Sequence, residues 1–597
     1  MPQALMKKMK TLLGCIIIVL VFIILPTFAQ EEPEPKRKYR EITIAGPLVE
    51  TKPPFAFGPT VKTLRNVTEQ IDRIGKDDEI TGVLLKIQGL GVGWAKLQEI
   101  RDKIIQLRDN GKQVISYLQS GGNAEYLLAC ATDRIVLMPA GTIGLTGLRA
   151  EVMFYKGLFE KLDIEADMLA IGKYKSAVEP YTRDSMSDAQ REAIDAILDD
   201  LYEQQVQMIA DGRSEIDVEM AVSLIDQGPF TAEEAYDAKL VDALQYYDEL
   251  VKSIEADGPE PIEVISDSAK KPRQAPNLTG FAGFMRLFSM LTSPKQSPTR
   301  RGKPQIALIY ATGPIMTNVP NDLFTTGQAI TPRKLTKALR EARENNAIRA
   351  VVMRVESPGG SALASDLIWR EVMLTQREKP VVVSMSDVAG SGGYYIAMAA
   401  GTIVAEPGTI TGSIGVLGGK LNLKGLYNKV GLTKEIITRG KNANLYSDYG
   451  NFTPAERERV GKMMETTYWD FVRKAAKGRH KTEAEIHEIA QGRIWTGKQA
   501  KKIGLVDELG GLDVAIALAK KRIGLSAGDD VDIIELPKPK TFFELLIEDM
   551  NIDARVQITQ SLSIPVSLAR SLPNLYWIQL LAQEPVAVVL PFNVTIR

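Results

Sequence analysis

The sequence predicts an α/β fold that occurs in two tandem copies. Short apolar, β-branched runs such as VLLKI, VVMRV and VVVSM alternate with longer stretches of helical pattern such as LQEIRDKIIQLRD and DLIWREVMLTQRE. Such runs are typical of strands that are covered by helices on both faces of a sheet. The length of 597 residues also exceeds what one hydrophobic core supports, so several compact units are expected.

The duplication is visible as matching strings at a nearly constant spacing. YREITIAGPLVET pairs with PQIALIYATGPIMT, and DEITGVLLKIQGLG pairs with AIRAVVMRVESPGG. Two further pairs follow in the same order, one around Tyr126 and Tyr394 and one between AYDAKLVDAL and AKKIGLVDEL. All four pairs keep offsets of 265 to 268 residues, which is typical of an internal repeat. We therefore predict two copies of one domain, over residues 38–253 and 304–537.

The N-terminus predicts a signal peptide or a membrane anchor. Three lysines precede a charge-free run from Leu12 to Ala29, and a basic region followed by an apolar region is expected of either element. The small residue at the end of the run favours cleavage after Ala29. If the run stays attached, it is long enough to span a thin bilayer. We assign residues 1–29 to this element and leave both alternatives open.

Residues 254–303 have the composition of a linker that connects the two copies. They are rich in proline, serine and basic residues around one apolar patch, GFAGFMRLFSML. Basic residues flank this patch on both sides, which suits an interfacial helix on an anionic membrane. Packing between subunits is the alternative. The C-terminal tail, residues 538–597, contains apolar clusters whose role the sequence does not indicate.

Composition excludes several classes of function. The formal net charge of −1 provides no field for a polyanion, so nucleic acid is not expected as a partner. Cys15 and Cys130 lack the spacing of a disulfide framework or a thiolate metal site, and His480 and His487 are the only histidines. No metal site and no histidine-dependent triad is therefore predicted. Serine chemistry would need another base, and a desolvated lysine is the natural choice, although composition does not select one.

The sharpest difference between the two copies is a serine. The second copy reads GSGG from Gly390, after a strand and before an apolar helix, whereas the first copy has Asn123 opposite Ser391. Neighbouring glycines let a substrate backbone approach closely, and the start of a helix is a common place for a nucleophile. A second glycine pair, Gly359 and Gly360, follows another strand and is suited to aiming N–H groups at an oxyanion. Each string alone is more typical of a flexible turn.

Four motifs together resemble one enzyme family. SPGGS, AGSGGYY and GTITGSIGV in the second copy, and GKYKSAVEPYTRDSMS in the first, resemble the long, two-domain form of signal peptide peptidase A. The resemblance covers about residues 38–537. It implies two ClpP/crotonase-like domains, each a spiral of repeated strand-strand-helix units, and neither a metal nor an organic cofactor. It also implies a homotetramer on the outer, periplasmic side of the bacterial cytoplasmic membrane that degrades signal peptides after their release.

The resemblance also implies roles for individual residues. Ser391 would be the nucleophile and Lys175, from the first copy, the general base, so that the dyad would bridge the two copies. The residues implied in oxyanion and orienting roles are Gly359, Gly360, Gly392 and Ser413. Lys441 is the alternative base, because it aligns with Lys175 in the second copy and short, one-domain members of the family place their lysine at about that distance from the serine.

These observations predict a membrane-associated serine endopeptidase that cleaves short apolar peptides through an acyl-enzyme. Two alternatives remain. The first is a crotonase-like acyl-CoA enzyme, in which two glycine N–H groups polarise a thioester; the secretion signal argues against it, because coenzyme A is a cytosolic cofactor. The second is a catalytically inert membrane scaffold, for which the loss of the serine in the first copy is a precedent.

Overall fold

The computed structural model describes most of both copies and a short part of the tail. The described residues are 37–52, 61–258, 261–266, 303–318, 329–537 and 586–590. The predicted anchor (1–29), the apolar patch of the linker and most of the tail therefore lie outside the described residues. Within the described ranges, no helix has both the length and the apolar character needed to cross a membrane.

The first copy forms a six-stranded parallel sheet in the order β10-β1-β2-β3-β5-β9. Its elements are β1 (Arg37–Pro47), α1 (Leu64–Gly75), β2 (Ile80–Gly91), α2 (Trp94–Asp109), β3 (Gln113–Leu118), β4 (Gly121–Gly122), α3 (Asn123–Ala129), β5 (Arg134–Leu137), β6 (Thr142–Gly144), α4 (Lys156–Lys161), β7 (Glu165–Ile171), α5 (Glu179–Thr182), α6 (Asp188–Gly212), α7 (Val218–Gln227), β8 (Phe230–Thr231), α8 (Ala232–Asp237), β9 (Ala243–Leu244), α9 (Tyr247–Ala256) and β10 (Ile262–Ser266).

The second copy repeats this order as β20-β11-β12-β14-β15-β19, again with parallel pairing. Its elements are β11 (Gln305–Thr312), α10 (Pro332–Glu344), β12 (Ile348–Ser357), β13 (Gly359–Ser361), α11 (Ala362–Glu378), β14 (Val381–Gly390), α12 (Gly392–Ala397), β15 (Thr402–Ala405), β16 (Ile410–Gly412), β17 (Val416–Asn422), α13 (Lys424–Lys429), α14 (Pro454–Gly478), α15 (Glu483–Ile489), β18 (Ile494–Thr496), α16 (Gly497–Lys502), β19 (Glu508–Leu509), α17 (Leu512–Arg522), β20 (Asp532–Leu536) and β21 (Val586–Val589).

The repeated strand order confirms the predicted tandem α/β fold. The structure differs from the predicted linker in one detail. Strand β10 lies within residues 254–303, and it pairs with β1 of the first sheet. The reason is that β10 holds the place in the first sheet that β20 holds in the second. A strand of five residues with a partner on one side only carries a weak periodic signal.

The strands are apolar throughout because both faces of each sheet are covered. In β2, Val83 and Leu85 belong to one hydrophobic cluster and Leu84, between them, belongs to another. In β12, Val351 likewise belongs to a different cluster from Val352. Successive side chains of a strand point to opposite faces. Both faces of these strands therefore need apolar side chains. In a strand with one face exposed to solvent, apolar and polar residues would alternate.

A third sheet joins the two copies. Strand β7 of the first copy pairs antiparallel with β17 of the second, from Glu165 opposite Asn422 to Ile171 opposite Val416. This pairing brings the residues that follow Ile171 to the second copy's glycine-rich turns. The sheet is four-stranded, in the order β13-β21-β17-β7.

A buried ionic cluster also crosses between the copies. The guanidinium of Arg354, whose side chain is fully buried, donates to Glu50 Oε1 at 2.9 Å and to Glu99 Oε2 at 2.8 Å. A buried charge that loses its partner costs several kcal/mol of stability, roughly 3–5. The cluster therefore penalises any arrangement in which Arg354 is separated from the two carboxylates of the first copy.

Candidate active site

Ser391 occupies a strained turn between β14 and α12. Its φ of 53° and ψ of −110° lie outside the regions that non-glycine residues favour. Two backbone hydrogen bonds hold it there: its N–H donates to Gly412 O at 2.7 Å, and its carbonyl accepts from Tyr395 N at 2.8 Å. Strain of this kind is concentrated at functional sites. Its side chain is fully buried, with 0% exposure.

Lys175 reaches Ser391 from the first copy. It follows β7 by four residues, and its Nζ lies 2.8 Å from Ser391 Oγ. Nζ also lies 3.0 Å from the carbonyl oxygen of Ser413 and 2.9 Å from Ser413 Oγ. Among the described residues, Lys175 is the amine that the structure places in hydrogen-bond contact with this serine.

The surroundings of Lys175 favour the neutral amine. Its side chain is only 2% exposed, and this burial lowers the pKa of Lys175 well below its usual value of 10.5. A neutral amine offers two N–H donors and one lone pair. Donation to the two oxygens of Ser413 leaves the lone pair for the hydroxyl hydrogen of Ser391. The three contacts of Nζ are therefore matched by an uncharged lysine that accepts from the serine.

A turn that the sequence analysis did not identify, Gln491–Arg493, holds both partners. Gln491 O accepts from Tyr174 N at 2.7 Å, and Arg493 O accepts from Ser413 N at 2.7 Å. Gly492 has φ of +81°, and an added Cβ there would lie 2.5 Å from Lys175 N, so only glycine fits against the lysine backbone. A sequence signal existed, because the same Gln-Gly pair stands before β8 in the first copy.

The glycines named in oxyanion roles lie together beside Ser391. An added Cβ on Gly392 would come within 2.9 Å of Gly359 Cα and 3.1 Å of Gly360 N. Gly359, with φ of +101°, permits this close approach of the two turns. The N–H of Gly359 donates to Ser357 Oγ at 3.2 Å. The two glycine strings of the sequence thus form one wall of the site.

The structure does not bring Lys441 to the serine. Lys441 lies in an exposed stretch that follows α13, whereas Ser391 is fully buried. In the first copy, Asn123 takes the place of the serine, and its amide makes structural hydrogen bonds: Nδ2 donates to Gly147 O at 2.8 Å, and Oδ1 accepts from Thr146 N at 3.2 Å. Among the described residues, the serine, the lysine and the glycine turns therefore come together at one place, from parts of both copies.

Comparison with known proteins gives the family. The chain matches the family model "Peptidase family S49" twice, over residues 106–258 and 373–526. It is 38% identical over 482 residues to "Serine protease SPPA, chloroplastic" of Arabidopsis thaliana, across 80% of this chain and 68% of that protein. It is 32% identical over 473 residues to "Protease 4" of Salmonella typhi, across 76% of this chain and 71% of that protein.

Among solved structures, the chain is similar to a mutant ClpP1 from Listeria monocytogenes, with a TM-score of 0.23 and 15% identity over 34% of this chain and 92% of that one. The two S49 matches fall one in each copy of the fold, and together they span about half of the chain. The family assigned from the four motifs is thereby confirmed. The chain belongs to peptidase family S49 and is a serine protease.

Proposed function

We propose that the protease cleaves short apolar peptides, including signal peptides after their release, by a Ser-Lys dyad of Ser391 and Lys175. The observation that carries this proposal is the 2.8 Å separation of Lys175 Nζ and Ser391 Oγ inside a buried site. Because the chain is a serine protease, it is neither the acyl-CoA enzyme nor the inert scaffold of the two alternatives.

The proposed reaction runs in two steps. Ser391 Oγ attacks the peptide carbonyl while the neutral amine of Lys175 takes the hydroxyl proton, and the resulting ammonium gives that proton to the leaving amine. The acyl group then remains on Ser391 as an ester. In the second step, water attacks this ester while Lys175 takes a proton from the water; the ammonium then returns that proton to Ser391 Oγ as the ester C–O bond breaks and the acid leaves.

The groups around the dyad support this assignment. Ser413, held by Arg493 O, would keep the lysine lone pair directed at Ser391 by accepting both amine hydrogens. The N–H groups of Gly392 and of Gly359 or Gly360 would stabilise the oxyanion. Because Gly359 N–H already donates to Ser357 Oγ, that donor would have to turn from Ser357 to the substrate, or Gly360 would serve instead.

A serine-directed reagent tests the proposed nucleophile. A fluorophosphonate should phosphonylate Ser391 Oγ in the purified protein with loss of fluoride, and peptide mapping should find the added mass on the peptide that contains Ser391. An apolar fluorogenic peptide should be cleaved by the same preparation, while a stably folded protein should remain intact. A protein that cleaves the peptide but carries the reagent on another serine would contradict the assignment of Ser391.

We also propose that the enzyme acts as a homotetramer on the outer face of the bacterial cytoplasmic membrane. The support from sequence is the basic-then-apolar run of residues 1–29 and the basic flanks of the 281–291 patch. The support from structure is a set of exposed aliphatic side chains in one stretch, Val430, Leu432 and Ile437, of which Ile437 is 81% exposed. Exposed apolar patches are typical of contact with a partner or a membrane.

Sedimentation measures both parts of that proposal. Protein without residues 1–29 should sediment as a tetramer and should pellet with anionic vesicles, since the 281–291 patch remains. Substitution of the exposed Ile437 by lysine should weaken the tetramer, whereas lysine at Val514, a similarly large side chain on α17, should not. A monomer that stays entirely in the supernatant with anionic vesicles would contradict the proposal.

A further inference from the structure

The segment 586–590 of the C-terminal tail lies between β13 and β17 beside the candidate active site, in a space that we call the channel. Strand β21 pairs antiparallel with β13 on one side, where Gly360 is opposite Val588, and with β17 on the other, where Leu417 is opposite Ala587. One residue further along, Leu590 N donates to Pro358 O at 2.8 Å. The segment thus fills the gap between the glycine wall of the site and the strand that follows Ser413.

Every side chain of the segment is apolar, and four of the five are buried. Ala587 and Val589 belong to a small hydrophobic cluster with Met168, Met316 and Leu417. Val588, which points to the other face, belongs to the main core of the second copy, and Leu590 belongs to a cluster with Trp94 and Tyr174. The channel therefore offers alternating apolar pockets to an extended chain, as expected for strand addition.

The segment lies against Gly390, the residue before the proposed nucleophile, and against Gly359. An added Cβ on Gly359 would lie 2.1 Å from Val588 O and 2.8 Å from Gly392 N, so the Val588 carbonyl lies beside a proposed oxyanion donor. An added Cβ on Gly390, the residue before Ser391, would lie 2.4 Å from Leu590 Cδ2. The complete burial of Ser391 is not compatible with attack on an external peptide, so a covering group has to leave before a substrate can bind.

We propose that residues 586–590 are a resident pseudosubstrate: they bind in the peptide channel as a substrate strand would, and substrates must displace them. This inference rests on the proposed function, because it takes Ser391 as the nucleophile. It also describes the substrate, namely an extended peptide with aliphatic side chains at about five successive positions and no charge among them. Backbone pairing to β13 and β17 supplies affinity without regard to sequence, and the pockets select aliphatic side chains.

Tethering gives the segment an advantage over free peptides. A strand attached to the same chain competes intramolecularly, so its effective concentration does not fall when the protein is diluted. A substrate that binds weakly is therefore excluded, while one with several good aliphatic side chains enters. Only molecules in which the segment has left the channel can bind a substrate or react with a serine-directed reagent. The apparent affinity for either is therefore reduced in proportion to the fraction of such molecules.

The rate of fluorophosphonate labelling tests whether residues 586–590 block access to Ser391. In the full chain, Val588→Asp places a charge in an apolar pocket and should release the segment, so Ser391 should be labelled about 10-fold faster than in wild type. Val514→Asp, the same substitution on α17 away from the channel, should label at the wild-type rate. Equal rates for Val588→Asp and wild type would overturn the inference. If none of the proteins is labelled at Ser391, the failure is instead that of the proposed function.

A reversible lock provides a second measurement that does not depend on the folding of Val588→Asp. Leu417 and Ala587 are paired on adjacent antiparallel strands, so cysteines at both positions should form a disulfide that retains the segment. Labelling of Ser391 should be about 10-fold slower in the oxidised protein and should recover on reduction. The same rate in both redox states, with the disulfide confirmed by mass, would show that the segment does not control access.

Discussion

Ser391→Ala is expected to lower kcat for apolar peptides by about 10⁴-fold to 10⁶-fold, the loss typical of removing a serine nucleophile. The reason is that the proposed acyl-enzyme cannot form without Oγ. Lys175 and the glycine N–H groups would remain in place, so only a small residual rate from binding and oxyanion stabilisation is expected. The measurement is steady-state hydrolysis of a fluorogenic apolar peptide.

A matched control separates chemistry from folding. Ser116 is also a fully buried serine, on β3 of the first copy, where its Oγ donates to Arg134 O at 3.3 Å. Ser116→Ala should keep its activity, and thermal melts should show that both variants are folded. Cleavage by Ser391→Ala at the wild-type rate would remove the basis of the proposed mechanism.

Lys175→Met is expected to lower kcat/KM by about 10²-fold to 10⁴-fold, as for the loss of a general base. Methionine has a similar length and leaves neither a buried charge nor a large cavity, so the backbone around residue 175 should be preserved. The control is Lys441→Met, which changes an exposed side chain and should have little effect. An active Lys175→Met beside an inactive Lys441→Met would place the base in the second copy.

The pKa of Lys175 adds two independent signatures to this prediction. Activity should rise with pH through the lowered pKa of Lys175, because only the neutral amine accepts the serine proton. Stability should change in the same direction: below its usual pKa of 10.5 the unfolded lysine is protonated, and at pH values above the lowered folded-state pKa the folded one is not. Wild-type stability therefore rises with pH in that window.

The methionine variant has no lysine at position 175 that must lose a proton on folding. Its Tm should therefore exceed that of wild type at neutral pH, by a margin that shrinks as the pH approaches 10.5. The lost hydrogen bonds to Ser413 partly offset the gain. A Tm difference that does not change with pH would show that Lys175 is not titrated by folding, and its role as a neutral base would then be untenable.

The fold was predictable because its signals are local or repeated. Continuous apolar runs such as VLLKI in β2 indicate strands covered on both faces, and the constant offset between motifs indicates duplication. The duplication also makes Ser391 stand out, because the aligned residue in the first copy is Asn123. The proximity of Lys175 to Ser391 was predictable only from the family resemblance. No spacing rule connects two residues that are 216 positions apart.

The sequence gives only weak signals for two parts of the site. The turn Gln491–Arg493 acts through backbone groups, which every residue has, so the Gln-Gly pair that it shares with the first copy is its main mark in the sequence. The segment 586–590 was recognisable as an apolar cluster, but strand pairing is non-local, and an apolar run does not reveal its partner strands. Its position between β13 and β17 depends on the gap that those two strands leave.

The pairing of β7 with β17 has a consequence for the timing of biosynthesis. A growing polypeptide emerges with residue 175 long before residue 391, so an incomplete chain holds an amine with no hydroxyl to activate. Under the proposed Ser-Lys mechanism, peptide cleavage becomes possible only after translation has passed Ser413 and the two copies have docked. The docking of the two copies would therefore set the time at which the enzyme becomes active.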